Sequence, residues 1–286
     1  MTFRLPFTVL VAALTVLVGA ASAQTEPWKF FALDNGVGRG DWSAAQQASV
    51  LKETGYDGIT YNYTSPADLK QWLTELKARE LQLFGIYLGV KLDGEPVLPP
   101  TLAEAMPLLR GSGAVLWLTV PKPAASGDYD AVAVKRVREV ADLAATAGLR
   151  VVLYPHFAFH IATAEHALAL LARVERANVG LSINLCHELA SGNGARLGEI
   201  VRKVAPSLQM VSLNGATDRA GPGWNNYIKV LGTGDYDVSG FLRILREVNY
   251  TGPVGLQSYN VKGDPKDNLT SSRRAWTTLT AAAATP

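Results

Sequence analysis

Asn184 and His187 stand three residues apart where an apolar run, Val179-Gly-Leu-Ser-Ile, ends in Asn184-Leu-Cys-His187. The spacing is that of a metal-binding Asp-x-x-His pair, but an amide in the first place can coordinate a cation without neutralising it. A second imidazole closes the run Arg150-Val-Val-Leu-Tyr154-Pro-His156. Imidazoles titrate near neutrality, so His187 and His156 are candidate acid–base residues, with Lys122 as a third proton carrier. His156 also reads as a structural imidazole bonded within its own loop. Asp34, Tyr61 or its neighbour Asn62, Tyr87, Tyr154, Asn184, Asn214 and Gln257 each fall where an apolar run gives way to a loop; Asp34, Tyr61, Tyr154, Asn184, Asn214 and Gln257 are the candidate substrate-binding residues. Amides and phenols donate and accept hydrogen bonds without net charge, and aromatic rings stack on sugar faces, so this set suits a hydroxyl-rich ligand. Cys186, the single cysteine, reads as a small buried hydrophobe, which excludes an intramolecular disulfide and a Cys-based zinc centre. A zinc site of His156, His187 and Asp34 is conceivable from residue types, with no spacing to support it.

These residues meet only if the chain closes on itself. Short apolar runs at 30–33, 58–63, 83–90, 114–120, 150–154, 179–184, 209–214 and 254–257 alternate with helical segments. One helix is expected over 41–54, capped by Asp41 and closed by the left-handed Gly55. Ser65-Pro66 opens the next, with Leu69, Leu73 and Leu76 as its buried stripe. Further helices are expected as far as Leu109, over 130–147, 163–176 and 195–204, after the cap Asp237, and over 268–280. The run 114–120 is apolar on both faces, as a strand covered by helices must be. Trp72 and Trp117 read as core. The alternation predicts an α/β fold, a single-domain (β/α)8 TIM barrel whose chemistry lies at the C-terminal strand ends. A doubly wound open sheet is the competing fold, but no Gly-rich phosphate fingerprint follows the first strand.

The chain has 286 residues, 27 Lys and Arg against 25 Asp and Glu, and a net charge of +2. Without a basic run, this balance leaves no footprint for nucleic acid. Residues 1–23 read as a signal peptide: Arg4, an apolar stretch over 5–19, and Ala21-Ser-Ala23 as the cleavage signature. A retained membrane anchor is the other reading, against which the stretch is short of the ~20 residues a span needs. Arg4 is the only charge in this leader, so the mature net charge falls by one to +1. Cleavage after Ala23 predicts a periplasmic or secreted protein with no membrane contact afterwards, a barrel over 24–280, and a frayed tail over 281–286.

Gly55-Tyr-Asp-Gly58, Tyr154-Pro-His156, Asn184-Leu-Cys-His187, Asn214 and Tyr250-Thr-Gly-Pro253 leading to Gln257, taken in order round a barrel, resemble the xylose-isomerase-like TIM barrels of the sugar phosphate isomerase/epimerase superfamily. The resemblance spans essentially the whole mature chain, although no single motif in it is highly specific. It implies a sugar-acting enzyme in which Glu, Asp, His and Glu at the ends of strands five to eight hold a divalent cation, the Glu ligands doubling as acid and base. Those positions here are Tyr154, Asn184, Asn214 and Gln257, while His187 matches the histidine of substrate contact. Three carboxylates and an imidazole are replaced by neutral groups. The expectation is therefore no cofactor, with Mn2+, Mg2+ or Zn2+ disfavoured, and a small-molecule sugar as partner. Two functions remain open: an isomerase, epimerase or lyase-like enzyme, and a non-catalytic carbohydrate-binding barrel. An interaction scaffold built on the loop over 215–234 is a weaker third.

Overall fold

The computed structural model describes Met1 and residues 28–217 and 223–284. The expected leader, Met1 apart, lies outside the described residues. Eight strands form a closed, all-parallel barrel in sequence order: β1 (Phe30–Leu33), β2 (Gly58–Asn62), β3 (Gln82–Gly89), β4 (Val115–Thr119), β5 (Arg150–Leu153), β6 (Val179–Asn184), β7 (Leu208–Leu213) and β8 (Val254–Leu256), with β8 pairing back to β1. Around it lie α1 (Ala44–Thr54), α2 (Pro66–Ala78), α3 (Leu102–Leu109), α4 (Asp130–Ala145), α5 (Ala164–Val174), α6 (Leu185–Ala190), α7 (Leu197–Val204), α8 (Val238–Glu247) and α9 (Pro265–Ala282). The expected TIM barrel is thus the observed fold. No helix among the described residues is long and apolar enough to cross a membrane.

Side chains alternate between two apolar layers because strand residues point in turn to opposite faces. Ile59, Ile86, Leu116, Val151, Leu181 and Val211 face the helices, while Phe31, Phe84, Trp117, Val152, Tyr154 and Met210 fill the barrel. Trp117 is fully buried, and burying a side chain of its size contributes ~4–6 kcal/mol of transfer free energy. Its indole N–H donates to Ser182 Oγ at 2.9 Å, so the one polar atom it carries is satisfied. The crowded interior requires a bare backbone at Gly255, where a Cβ would fall 2.4 Å from the Phe31 ring.

Gly58 is the tighter constraint. It opens β2 at φ +156°, and a Cβ there would lie 1.8 Å from the Gln82 carbonyl oxygen on the neighbouring strand. Backbone cannot yield as a flexible side chain does. Gly58→Ala is expected to cost roughly 3 kcal/mol or more, read as a fall in the urea midpoint; an unchanged midpoint would contradict the close approach.

Helix boundaries mostly follow local capping. Thr163 caps α5, Asp237 caps α8 and Gly55 takes the left-handed cap of α1. The start of α1 differs from expectation: Ser43, not Asp41, is the N-cap. Ser43 and Gln46 form a reciprocal capping box, with Ser43 N donating to Gln46 Oε1 at 2.9 Å, and two satisfied donors outweigh one. At the other end α9 starts after the cap Asp264 and continues to Ala282, with Ala283 buried, so the expected fraying over 281–286 does not begin at 281. Helix α6 was not expected at all. Its six residues are too few to display a helical period, and Leu185, Cys186, His187, Glu188 and Leu189 are all buried.

Candidate functional site

At the C-terminal ends of the strands lies a cavity of about 350 Å³, lined among others by Asn35, Arg39, Asn62, Tyr87, Tyr154, His156, Phe159, His187, Trp224 and Gln257. A larger concavity of about 930 Å³ opens at the opposite mouth, lined by Trp28, Arg150 and Gln209, and holds no comparable acid–base pair. Tyr154 forms part of the site's floor. Its ring stacks on Trp117 with centroids 4.5 Å apart, and burial raises its hydroxyl above the usual phenol range. That hydroxyl accepts from Gln257 Nε2 at 3.3 Å and lies 3.4 Å from His187 Nε2. Gln257 Oε1 accepts from Asn35 Nδ2 at 2.6 Å and from Tyr259 N at 3.0 Å, which joins the ends of β1 and β8.

The His156 and His187 rings lie against each other, centroids 3.9 Å apart and planes tilted by 38°. The His156 Nδ1 lies 2.9 Å from the Phe157 carbonyl, which can only accept, so the hydrogen sits on Nδ1 and Nε2 carries the lone pair. Burial lowers its basicity below the ordinary imidazole value. His187 is buried more deeply; desolvation, then the neighbouring His156, hold it well below that value, so it is neutral at pH 7. With Tyr154 accepting from Gln257 and donating to His187 Nε2, the His187 Nδ1–H is a buried donor without an acceptor. Asn35 Oδ1 is likewise a buried acceptor without a donor. Two cavity-lining side chains therefore each leave one polar atom unmatched, which buried groups seldom do.

Aromatic rings close the site. Trp224 meets His187 edge-on at 5.2 Å, Phe159 stacks on His156 at 4.0 Å, and Phe157 and Tyr259 are exposed near the rim. Phe157 reaches Trp224 at 6.1 Å, and Ala158 turns the chain back at φ +67° so that Phe159 faces inward.

Several expected site residues lie elsewhere. Lys122 is exposed and outside the cavity wall: the chain leaves the barrel at Pro121, two residues beyond β4. Tyr61 points outward into the helix layer against Trp72, centroids 5.3 Å apart, and its neighbour Asn62 faces the cavity instead. The alternation of strand faces decides between adjacent residues. Asp34 sits behind the wall, accepting from the Tyr87 hydroxyl, the Arg39 guanidinium and Asn62 N. Burial raises its carboxyl to about 6 against the opposing pull of Arg39. Asn184 lies beneath the cavity floor in a closed network: Nδ2 donates to Pro155 O and Ser182 Oγ, and Oδ1 accepts from Ser212 Oγ. Asn214 Nδ2 donates to Gly215 O and Tyr227 O, tethering the long loop after β7 rather than lining the site. Arg39, Asn35, Phe159 and Tyr259 were missed. Asn35 follows Asp34 directly and was within reach of the strand-end argument, whereas Arg39 and Phe159 arrive through loop conformation that no pattern announces.

The four positions at the ends of β5 to β8 carry no carboxylate, and Asn184 and Gln257 already use both ends of their amides within the protein. That donor set does not fit a carboxylate-caged divalent cation. Glu188, the buried carboxylate nearest in sequence, faces away, accepting from Ala164 N and Asn193 Nδ2. Cys186 is buried with its thiol pushed up to about 12, so it is no nucleophile. His156, His187 and Asp34 do not form a metal-binding trio. Among the described residues one group of three has its ligand atoms within 4.8 Å of one another, and it is Asp130, His160 and His166, outside the cavity.

A closed parallel barrel with an amide-, phenol- and imidazole-lined cavity at its C-terminal end defines a class of small-molecule barrel proteins. The chain belongs to the xylose isomerase-like TIM barrel family, whose model matches residues 103–279. It is 26% identical over 265 residues to an L-ribulose 3-epimerase of Methylomonas sp. (strain DH-1), covering 84% of this chain and 87% of that one. Its fold is similar to that of a D-allulose 3-epimerase from Methylomonas sp. in complex with D-allulose, with a TM-score of 0.71, 20% identity, and 88% and 96% of the two chains covered. A 3-keto-D-glucoside 4-epimerase from E. coli gives a TM-score of 0.73 at 16% identity, with 88% of this chain and all of the other covered.

Proposed function

We propose that this protein is an exported sugar isomerase or epimerase-like enzyme that works in the cavity at the C-terminal face without the carboxylate-bound divalent metal expected of its relatives. The observation that carries the reading is the neutral His156–His187 pair within a cavity of sugar size. The epimerase relatives support a carbohydrate as the ligand. In this reading Tyr87, Phe159 and Trp224 stack on the sugar, and the polar side chains of Asn35, Asn62 and Gln257 in the same wall face its hydroxyls. The His156 Nε2 lone pair takes the proton from a carbon beside a carbonyl. Delivery of a solvent proton to the opposite face of the enediol, with His156 releasing its own to solvent, gives the epimer. Return of the His156 proton to the adjacent carbon, with a proton passing from the neighbouring hydroxyl to the carbonyl oxygen, gives the isomer. Export rests on the leader over 1–23, and N-terminal sequencing of the mature protein, expected to begin at Gln24, tests it.

The cavity wall's lack of a carboxylate favours a second reading, a carbohydrate-binding barrel without turnover. A panel of aldoses, ketoses and keto-glycosides, followed by thermal shift and product analysis with and without Mn2+ or chelator, separates the two. A sugar at 100 times its Kd stabilises by about 2.7 kcal/mol, a Tm rise of roughly 5–10 °C. A chelator-insensitive shift with a new sugar as product is the expected result, and Lys122→Ala leaves it unchanged. A shift without product favours the binding barrel, and no shift with any sugar overturns both readings. Chelator sensitivity that persists in Asp130→Asn overturns the metal-free reading.

A further inference from the structure

Asp130, His160 and His166 come from three separate elements: the first turn of α4, the loop after β5, and the first turn of α5. Their side chains converge. Asp130 Oδ1 lies 3.0 Å from His160 Nε2 and 3.0 Å from His166 Nε2, and all three ligand atoms fall within 4.8 Å of one another. None of the three belongs to the cavity or to the positions that hold a cation in the resemblance described above.

We infer that Asp130, His160 and His166 form a transition-metal site, with Zn2+ as the ion it suits best, which clamps the loop after β5 to the start of α4. Two imidazole nitrogens and one carboxylate oxygen are a donor set for Zn2+, Co2+ or Ni2+, and a poor one for Mg2+ or Ca2+, which take oxygens. Metal–ligand bonds of about 2.0–2.2 Å in tetrahedral array put ligand atoms about 3.3–3.5 Å apart. The two oxygen–nitrogen separations of 3.0 Å fall a few tenths of an ångström short of that spacing, so small rotations admit the ion. Ligation through both Nε2 atoms leaves each imidazole hydrogen on Nδ1. Arg173 Nη1, 3.5 Å from Asp130 Oδ2, stays on the oxygen not used and orients the carboxylate. The three side chains are 13% to 31% exposed, which leaves the group reachable from solvent and one coordination position for water.

The clamp matters to the cavity because of the chain between. His160 N donates to Val120 O at 3.0 Å, and the preceding residue, Phe159, stacks on His156 in the cavity wall. An ion on Asp130, His160 and His166 therefore anchors, at His160, the C-terminal end of the turn that presents Phe159 and His156.

The test uses the full mature chain, stripped with EDTA, dialysed and free of sugar, so that its outcome is independent of the proposed sugar chemistry. Zn2+ is titrated by calorimetry and Co2+ by visible absorption. One equivalent of each is expected to bind, with tetrahedral Co2+ bands, and Zn2+ is expected to raise Tm. Asp130→Asn and His166→Gln each weaken Zn2+ at least about tenfold while keeping a native circular dichroism spectrum, and His156→Ala leaves the affinity unchanged. Failure of both ions to bind saturably overturns the site. So does affinity unaltered in Asp130→Asn and His166→Gln, or affinity lost in His156→Ala instead.

Discussion

Replacing His156 by Ala is expected to lower the turnover of a sugar substrate by about 10²–10⁴-fold, the usual contribution of a positioned general base. The loss should fall on kcat more than KM, because the stacking rings and amide contacts stay in place. His156 is only half-buried and the one hydrogen bond of its side chain is to the adjacent Phe157 carbonyl, so Tm should change little. His187→Ala forms the contrast. His187 is buried among Tyr154, His156 and Trp224, so its truncation opens a cavity and is expected to lower stability by ~2–4 kcal/mol together with activity. In the proposed chemistry the base is His156, whose Nδ1 carries the hydrogen and leaves Nε2 as the acceptor, while His187 Nε2 meets the Tyr154 hydroxyl.

The pH profile follows from the same groups. A base must be neutral to act, and His156 sits below the ordinary imidazole value because burial disfavours its cation. Activity is therefore expected to be level from pH 7 upward and to fall as pH drops through that lowered value. Asp34, with its carboxyl at about 6, acts in the same direction, since its protonation weakens the anchor for Arg39 and Tyr87. A profile that rises as pH falls from 7 to 5.5 would remove His156 from the role of base.

Asn184→Asp puts back the carboxylate that the resemblance implies at that position, and it is expected to damage the protein. Every hydrogen in the network has a direction. Ser182 Oγ donates to Leu153 O and accepts from Trp117 Nε1 and Asn184 Nδ2, while Ser212 donates to Asn184 Oδ1. An aspartate has no N–H to give, so one of its oxygens would face the Pro155 carbonyl, now 3.2 Å from Nδ2, and a Ser182 oxygen whose hydrogen is already used. A buried charge against two acceptors costs ~2–4 kcal/mol, a Tm fall of roughly 5–15 °C. The new carboxyl would titrate above its unfolded value, because the protonated form alone can donate. The penalty is therefore absent at pH values below the unfolded carboxyl's pKa of about 3.9 and fully present above the raised folded one, so the Tm gap to the native protein should widen from pH 4 to pH 8. A variant as stable as the native chain at pH 8, or a gap that narrows with rising pH, would show that Asn184 does not hold this network.

The barrel was legible in the sequence because its signals are local. Eight apolar runs, each four to eight residues long and separated by capped helices, specify strands buried on both faces, and the closing order follows from short right-handed crossovers. The general place of the site was legible for the same reason. Asn184, His187, Tyr154, His156 and Gln257 all stand where a strand ends, and the C-terminal ends of a parallel barrel share one face. What a linear pattern does not carry is side-chain direction beyond the last strand residue. Tyr61 and Asn62 differ by one position and face opposite layers, Lys122 lies past the turn that leaves the barrel, and Asn184 and Asn214 are bound inward by backbone carbonyls from Pro155 and Tyr227. The Asp130–His160–His166 cluster joins residues 30 and 36 positions apart with no motif between them. By itself the sequence determined the fold, the face that carries the site and the absence of a carboxylate at four positions on it. Only the tertiary structure decided which polar atoms are spent within the protein and which are left to meet a ligand, because hydrogen-bond partners are set by contacts distant in the chain.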